Sequence, residues 1–174
     1  ILGSSWPKEE QLIAKAKLPD GTKVIIAPHD LNPEHIDLIK NLFSKSLLYT
    51  EYVLGESSNV LILNTIGMLK FAYQYGNMAF IGGAFGKGLH NILEPMTYGL
   101  PVIFGPNHTK FPEALAAMEA GIAKQVNTKS ELETAINYFH NVPYKHKSEV
   151  KDWLKSRIVD VDGMHTEIIK SLDN

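Results

Sequence analysis

The stretch FIGGAFGKGLHNILEP, residues 80–95, sets four glycines between an apolar run and a helix start, and closes on a carboxylate beside a proline. Glycine-rich turns ahead of a helix often cradle phosphate, because bare backbone N–H groups can close on an anion. Neither common pattern fits. GxGxxG cannot be threaded through Gly82, Gly83, Gly86 and Gly88, and a Walker A loop would need Ser or Thr where Gly88 stands. The helix start says more. Asn91 and Glu94 have the spacing of a capping box, in which the glutamate folds back onto the cap's own N–H. With Asn91 as cap, however, Pro95 falls where the first intrahelical N–H should be, so the box is compromised and Glu94 is free to face outward. A carboxylate there can accept two hydroxyls, as from a ribose, and the helix N-terminus beneath Gly88, His90 and Asn91 can take a phosphate. The competing reading is a flexible turn with a capped helix after it.

Four other loops carry candidate residues. In GSSWPKEE, Ser5 reads as the cap of a helix opening at Pro7, while exposed N–H groups and the Ser4 hydroxyl can contact an anion; both can hold together. In APHDLNPEH, His29 stands just past a strand end, either to meet a ligand or to be solvated. In NTIGMLKF, Thr65 reads as a helix cap and Gly67 as a point of close backbone approach. In GPNHTKF, Lys110 either neutralises phosphate or lies in solvent. There is no HExxH and no other His, Asp or Glu set with metal-ligand spacing, so no metal is expected.

These loops need elements to hold them, and strand-type runs alternate with helical patterns almost throughout. Strands are predicted at 23–28, 46–50, 60–64, 78–83, 101–105 and 122–126, with the end of another in the opening residues. Helices are predicted after Pro33, with Ile36, Ile39, Leu42 and Phe43 on one face, at 68–75, over ILEPMTYG and over FPEALAAMEA. Helices at about 130–140, 147–158 and 163–172 close the chain, so that 145–174 is a helical C-terminal part. The strands are continuous apolar runs rather than alternating ones, which requires cover on both faces. The reading is α/β, a doubly wound parallel sheet of Rossmann-like kind, with ligands beyond the strands' carboxyl ends and candidate loops after residues 28, 64, 83 and 105.

With 174 residues, 44% of them hydrophobic and 21% charged, the chain has the balance of one ordinary globular domain. A net charge of −2 without a basic run gives no pull towards nucleic acid. The absence of cysteine excludes disulfides and thiolate metal sites and fits a reducing compartment. No apolar segment approaches the ~20 residues that span a bilayer. The opening ILGSSWPKEE, without an initiator Met, reads as a piece of a longer protein cut near a domain boundary.

The run GG…GLHNILEPMTYGLPVIFGPN resembles the donor-binding half of GT-B glycosyltransferases, most closely the C-terminal domain of the 3-deoxy-D-manno-octulosonic acid (Kdo) transferases. The resemblance extends from GSSWPKEE to about residue 140, and HN-x-LEP with the following GP is its most specific part. The family pattern is roughly GS-T-H-P-G-E-E, P-R-H-P-E-R, D-T-x-G-E-L, then GG…G-H-N-x-L-E-P and F-G-P. Here His29 stands for the arginine of the second loop, and Asn64 and Met68 for the acidic residues of the third. The resemblance implies CMP-Kdo as donor substrate with no other cofactor, and a lipid A precursor as acceptor. It implies an inverting, metal-independent transfer whose catalytic base is a carboxylate of an N-terminal domain, so no catalytic residue is expected in this chain. Glu94 would bind the ribose, Gly83, Gly88, His90 and Asn91 would frame the phosphate, and Gly67 and Met68 would lie beside the nucleoside. The full-length enzyme would sit at the cytoplasmic face of the inner membrane. The alternatives are a GT-B enzyme or epimerase using a UDP- or GDP-sugar, and a non-catalytic doubly wound regulatory domain.

Overall fold

The computed structural model describes residues 1–141 and 143–157. Seven parallel strands form one sheet: β1 (Leu2–Ser5), β2 (Val24–Pro28), β3 (Leu47–Leu48), β4 (Val60–Ile62), β5 (Ala79–Ile81), β6 (Val102–Phe104) and β7 (Ala123–Gln125). The helices are α1 (Pro7–Lys15), α2 (Pro33–Leu42), α3 (Leu69–Ala72), α4 (Leu93–Thr97), α5 (Pro112–Glu119), α6 (Lys129–His140) and α7 (Pro143–Arg157). The expectation of a doubly wound parallel sheet holds. The observed strands are shorter than the apolar runs, and 68–75 divides into α3 and a 3₁₀ turn at Tyr73–Tyr75. The helix expected at 163–172 lies outside the described residues.

Alternate residues of each strand serve opposite faces, which is why the runs are apolar throughout. Phe80 and Ile103 join Leu12, Ile13, Ile39, Leu132 and Phe139 in the core beneath α1, α2 and α6. Their chain neighbours Ile81, Val102 and Phe104 join Met96, Ala114, Ala117 and Val150 in the core on the other side. Each fully buried Leu, Ile, Val, Phe or Met side chain among them contributes about 1.5–3 kcal/mol by leaving water. Helix α2 shows the local logic: Pro33 needs no N–H at the first position, the Asn32 side chain accepts from Glu34 N at 3.0 Å, and Ile36 and Ile39 point inward.

The strand order is β3-β4-β2-β1-β5-β6-β7. The chain winds outward from β1 through β2 in one direction and restarts at β5 in the other. In such sheets ligands lie at the point where the order reverses, beyond the carboxyl ends. That point is the crevice between β1 and β5, paired at Leu2–Phe80 and Gly3–Ile81. The loop after β1 and the glycine loop after β5 therefore face each other, with the loop after β2 alongside.

Candidate functional site

The two loops at the reversal point are drawn together backbone to backbone. Gly82 N donates to Gly3 O at 2.9 Å, and a Cβ built on Gly82 would stand 2.8 Å from the Ser4 carbonyl carbon. Ser4 itself has φ 50°, the one non-glycine residue with a positive φ among the described residues. A left-handed serine is uncommon and marks strain worth a functional explanation. Its twist shifts the register of β1 against β2 and leaves Ser4 partly exposed at the crevice.

Ser5 is not the helix cap. Pro7 takes the first helical position, which moves the cap to Trp6, and Ser5 turns inward, where its hydroxyl donates to Glu10 Oε1 at 2.7 Å. Two buried carboxylates in the first turn of α1 then brace two different loops. Glu9 accepts from Gly83 N at 2.9 Å and from Trp6 N at 3.2 Å, which ties the glycine loop to α1. Burial raises the Glu9 pKa above its ordinary value, against the pull of those backbone N–H groups. Glu10 reaches His35 Nε2 at 2.9 Å, and His35 Nδ1 donates to Asp30 O at 2.9 Å, which fixes the loop carrying His29. A carbonyl can only accept, so His35 Nδ1 carries a hydrogen.

The glycine loop is closed on itself. Gly83 O accepts from Gly86 N at 2.9 Å and from Gly88 N at 3.2 Å, and Gly82 O accepts from His90 N at 3.2 Å. With Gly83 N on Glu9, the amides of residues 83, 86, 88 and 90 are all engaged, so these glycines shape a turn rather than offer a ring of N–H donors. Asn107 pins the turn from the next loop, donating through Nδ2 to Gly86 O at 2.8 Å and through its backbone N to Ala84 O at 2.8 Å.

The helix beyond is short, five residues with Ile92 as cap, so its dipole offers an anion little. Asn91 is therefore one residue outside the cap, where its side chain accepts from Leu93 N at 2.9 Å. Pro95 occupies the third helical position, where an N–H would have lacked an intrahelical partner. No capping box forms between Asn91 and Glu94: the half-buried Glu94 carboxylate has no hydrogen-bond partner among the described residues. It lies close enough to Tyr73 to push that hydroxyl's pKa up further, after burial, and Tyr73 Oη sits beneath Gly3, 2.5 Å from where a Cβ would stand.

Across the crevice three rings meet. Trp6 Nε1 donates to His90 Nε2 at 3.2 Å, and His29 stacks on both, 4.6 Å from each centroid and tilted by 28° and 25°. His90 resists protonation, first because it is partly buried and second because His29 faces it, so its pKa lies below the ordinary 6.5. The stability His90 contributes is thus complete above its unfolded pKa and is lost as pH falls through the lower folded value. Acidification from neutrality is expected to lower the unfolding midpoint of the native chain more than that of His90→Asn; parallel pH slopes in thermal melts would contradict this.

The structure brings Ser4, His29, Gly83, Gly88, His90, Asn91 and Glu94 to the loops at one end of the sheet. Lys110 is exposed beside Phe111, the residue that packs over Gly88, and makes no ion pair among the described residues. Gly67 is exposed with φ 85°, whereas Met68 packs on the small cluster of Ala27, Leu63 and Ala72. Thr65 caps nothing, since α3 begins four residues later behind Met68. Trp6, Glu9, Glu10 and Tyr73 are site-building residues missed by the sequence reading. A cavity of about 810 Å³ opens at the opposite, amino-terminal end among Leu18, Val24, Leu47, Val60 and Met78. It is lined mainly by apolar side chains and lies away from the reversal point, so the crevice is the better candidate. Among the described residues no group of three or more His, Cys, Asp or Glu could hold a metal, and no helix is long and apolar enough to cross a membrane.

This doubly wound parallel sheet, with its glycine turn after β5, has the fold of the C-terminal half of GT-B glycosyltransferases. It matches the crystal structure of the C-terminal CMP-Kdo binding domain of WaaA from Acinetobacter baumannii with a TM-score of 0.67, at 21% identity, over 86% of this chain and 83% of that one. In sequence, the chain is a homologue of the 3-deoxy-D-manno-octulosonic acid transferases. It is 29% identical to that of Aquifex aeolicus (strain VF5) over 98% of its length and 30% identical to that of Chlamydia trachomatis serovar D over 81%. With the enzyme of Chlamydophila psittaci the identity is 33% over 70% of the chain. The chain spans 48% of the Aquifex relative and 35% of the Chlamydia trachomatis one. No family model matches it.

Proposed function

We propose that this chain is the donor-binding part of a Kdo transferase and holds CMP-Kdo in the crevice between β1 and β5. The supporting observation is the convergence of Ser4, His29, His90 and Glu94 at the reversal point of a sheet whose relatives carry that name. Glu94 accepts the ribose hydroxyls. The phosphate lies towards His29, His90 and Ser4, framed by Gly83, Gly88 and Asn91, with Lys110 at the rim. Gly67 and Met68 flank the nucleoside.

An acceptor hydroxyl on a lipid A precursor attacks the Kdo anomeric carbon. A C–O bond forms, the bond to the phosphate oxygen breaks, CMP leaves, and the hydroxyl proton passes to a base. That base belongs to the part of the longer enzyme outside this chain, so this chain alone transfers no sugar. The transfer inverts the anomeric centre and runs without a metal at the cytoplasmic face of the inner membrane. This chain's own share is to bind and orient the nucleotide and to meet the charge growing on the departing phosphate.

Competition among CMP, UDP and GDP tests the reading. CMP is expected to displace a labelled cytidine nucleotide at concentrations at which UDP and GDP do not. Preference for UDP or GDP would move the chain to another GT-B specificity or an epimerase. Binding of none would favour a non-catalytic module, the reading to which the three stacked rings in the crevice lend some support.

A further inference from the structure

With the four glycine amides of the turn engaged, the side chains at the crevice become the next donors to consider. Trp6 bears on them through the hydrogen it donates. Its indole Nε1–H meets His90 Nε2 at 3.2 Å, and an imidazole nitrogen can accept only when it carries no proton. The contact thereby sets the hydrogen of a neutral His90 on Nδ1. Nδ1 has no hydrogen-bond partner among the described residues, and it is not among the fully buried atoms left without one.

The ring is also held in place. His29 stacks across both partners, and the Cδ2 edge of His90 lies 2.8 Å from where a Cβ on Gly83 would stand, so only glycine leaves room for it. The backbone N–H of His90 is bound to Gly82 O. Tautomer, ring plane and backbone are thus each fixed by a different neighbour.

We infer that Trp6 is a positioning residue that locks His90 in its Nδ1–H tautomer, so that a neutral imidazole N–H is a donor this crevice presents to a nucleotide's phosphate. The inference rests on the reading of the crevice as a nucleotide site. A neutral donor fits the setting: partial burial and the facing His29 both oppose a second proton on the ring. Trp6 contributes no contact to the ligand. Its part is to decide which of two nitrogens donates.

The test combines a spectrum with a double-variant cycle. In long-range ¹H–¹⁵N spectra of the labelled chain, His90 should show a protonated Nδ1 and an unprotonated Nε2 at pH 7.5. Trp6→Phe keeps a ring beneath His29 but has no N–H to donate. It is expected to give a mixture of tautomers and to weaken CMP binding about three- to tenfold. Cytidine, which lacks the phosphate, should bind the two chains alike.

His90→Asn places an amide donor near the Nδ1 position and needs no lock, so adding Trp6→Phe to it should cost no further CMP affinity. An equal loss in that background would show that Trp6 acts through packing, and would overturn the inference. CMP binding with His90 protonated at Nε2 would overturn the inference alone. A chain with the expected tautomer that binds no CMP would refute the nucleotide reading, and the inference with it.

Discussion

Glu94→Gln should weaken CMP binding by ~1.5–3 kcal/mol, roughly one to two orders of magnitude in Kd, the scale of hydrogen bonds to a charged group. The Glu94 carboxylate is half-buried and has no partner among the described residues, and its charge is felt at the Tyr73 hydroxyl beneath Gly3. A carboxylate with both oxygens unused can accept two neighbouring hydroxyls. A glutamine offers one acceptor and turns a donor towards the other. Because Glu94 holds no part of the fold through its side chain, the variant should melt with the native chain, so affinity and stability separate cleanly. Calorimetry at fixed pH and salt reads the effect, and an unchanged affinity would remove Glu94 from the site.

Gly82→Ala is the largest expected loss of stability, about 3 kcal/mol or more. The new Cβ would overlap the Ser4 carbonyl oxygen and stand 2.8 Å from the Ser4 carbon and 2.9 Å from Ser5 Cα. All three are backbone atoms, so no side chain can swing aside. Relief requires the carboxyl ends of β1 and β5 to part, which would break the contact that places Ser4, Trp6 and Glu9 opposite the glycine turn. Gly86→Ala is the control: its nearest neighbour would be Gly83 O at 3.6 Å, ordinary contact, and the change should stay within about 1 kcal/mol of the native chain. Denaturant unfolding of the two variants side by side decides the matter. A Gly82→Ala midpoint equal to that of Gly86→Ala would show that the two strand ends have slack the structure does not indicate.

What the sequence revealed follows from range. Apolar runs announced a sheet covered on both faces, because that pattern depends only on which way successive side chains point. The carboxyl-end loops followed from the alternation. Strand order did not, since it depends on pairings between distant segments, and without it β1 and β5 could not be named as neighbours. The same distance hid the site's braces. Glu9 and Gly83 are 74 residues apart, and Trp6 and His90 are 84. A glutamate in a helix's first turn looks like an ordinary solvated acid until its loop partner is known.

Two local signals in the sequence do point to the observed caps. Proline at a first helical position implies that the cap is the residue just before it, which points to Trp6 rather than Ser5. Pro95 fits the third position of a helix, where no intrahelical N–H is needed, and so does not break the helix's first bond. The conclusion that Glu94 makes no box survives, for a different reason: the cap is Ile92, and Asn91 spends its side chain on Leu93 N.

The central claim is that the crevice between β1 and β5 holds a cytidine nucleotide. Calorimetric titration of CMP into this chain tests it most directly. The account predicts saturable binding at one site per chain, tighter than that of UDP or GDP and sharply weakened in Glu94→Gln. No measurable heat with CMP, or binding that Glu94→Gln leaves untouched, would contradict it.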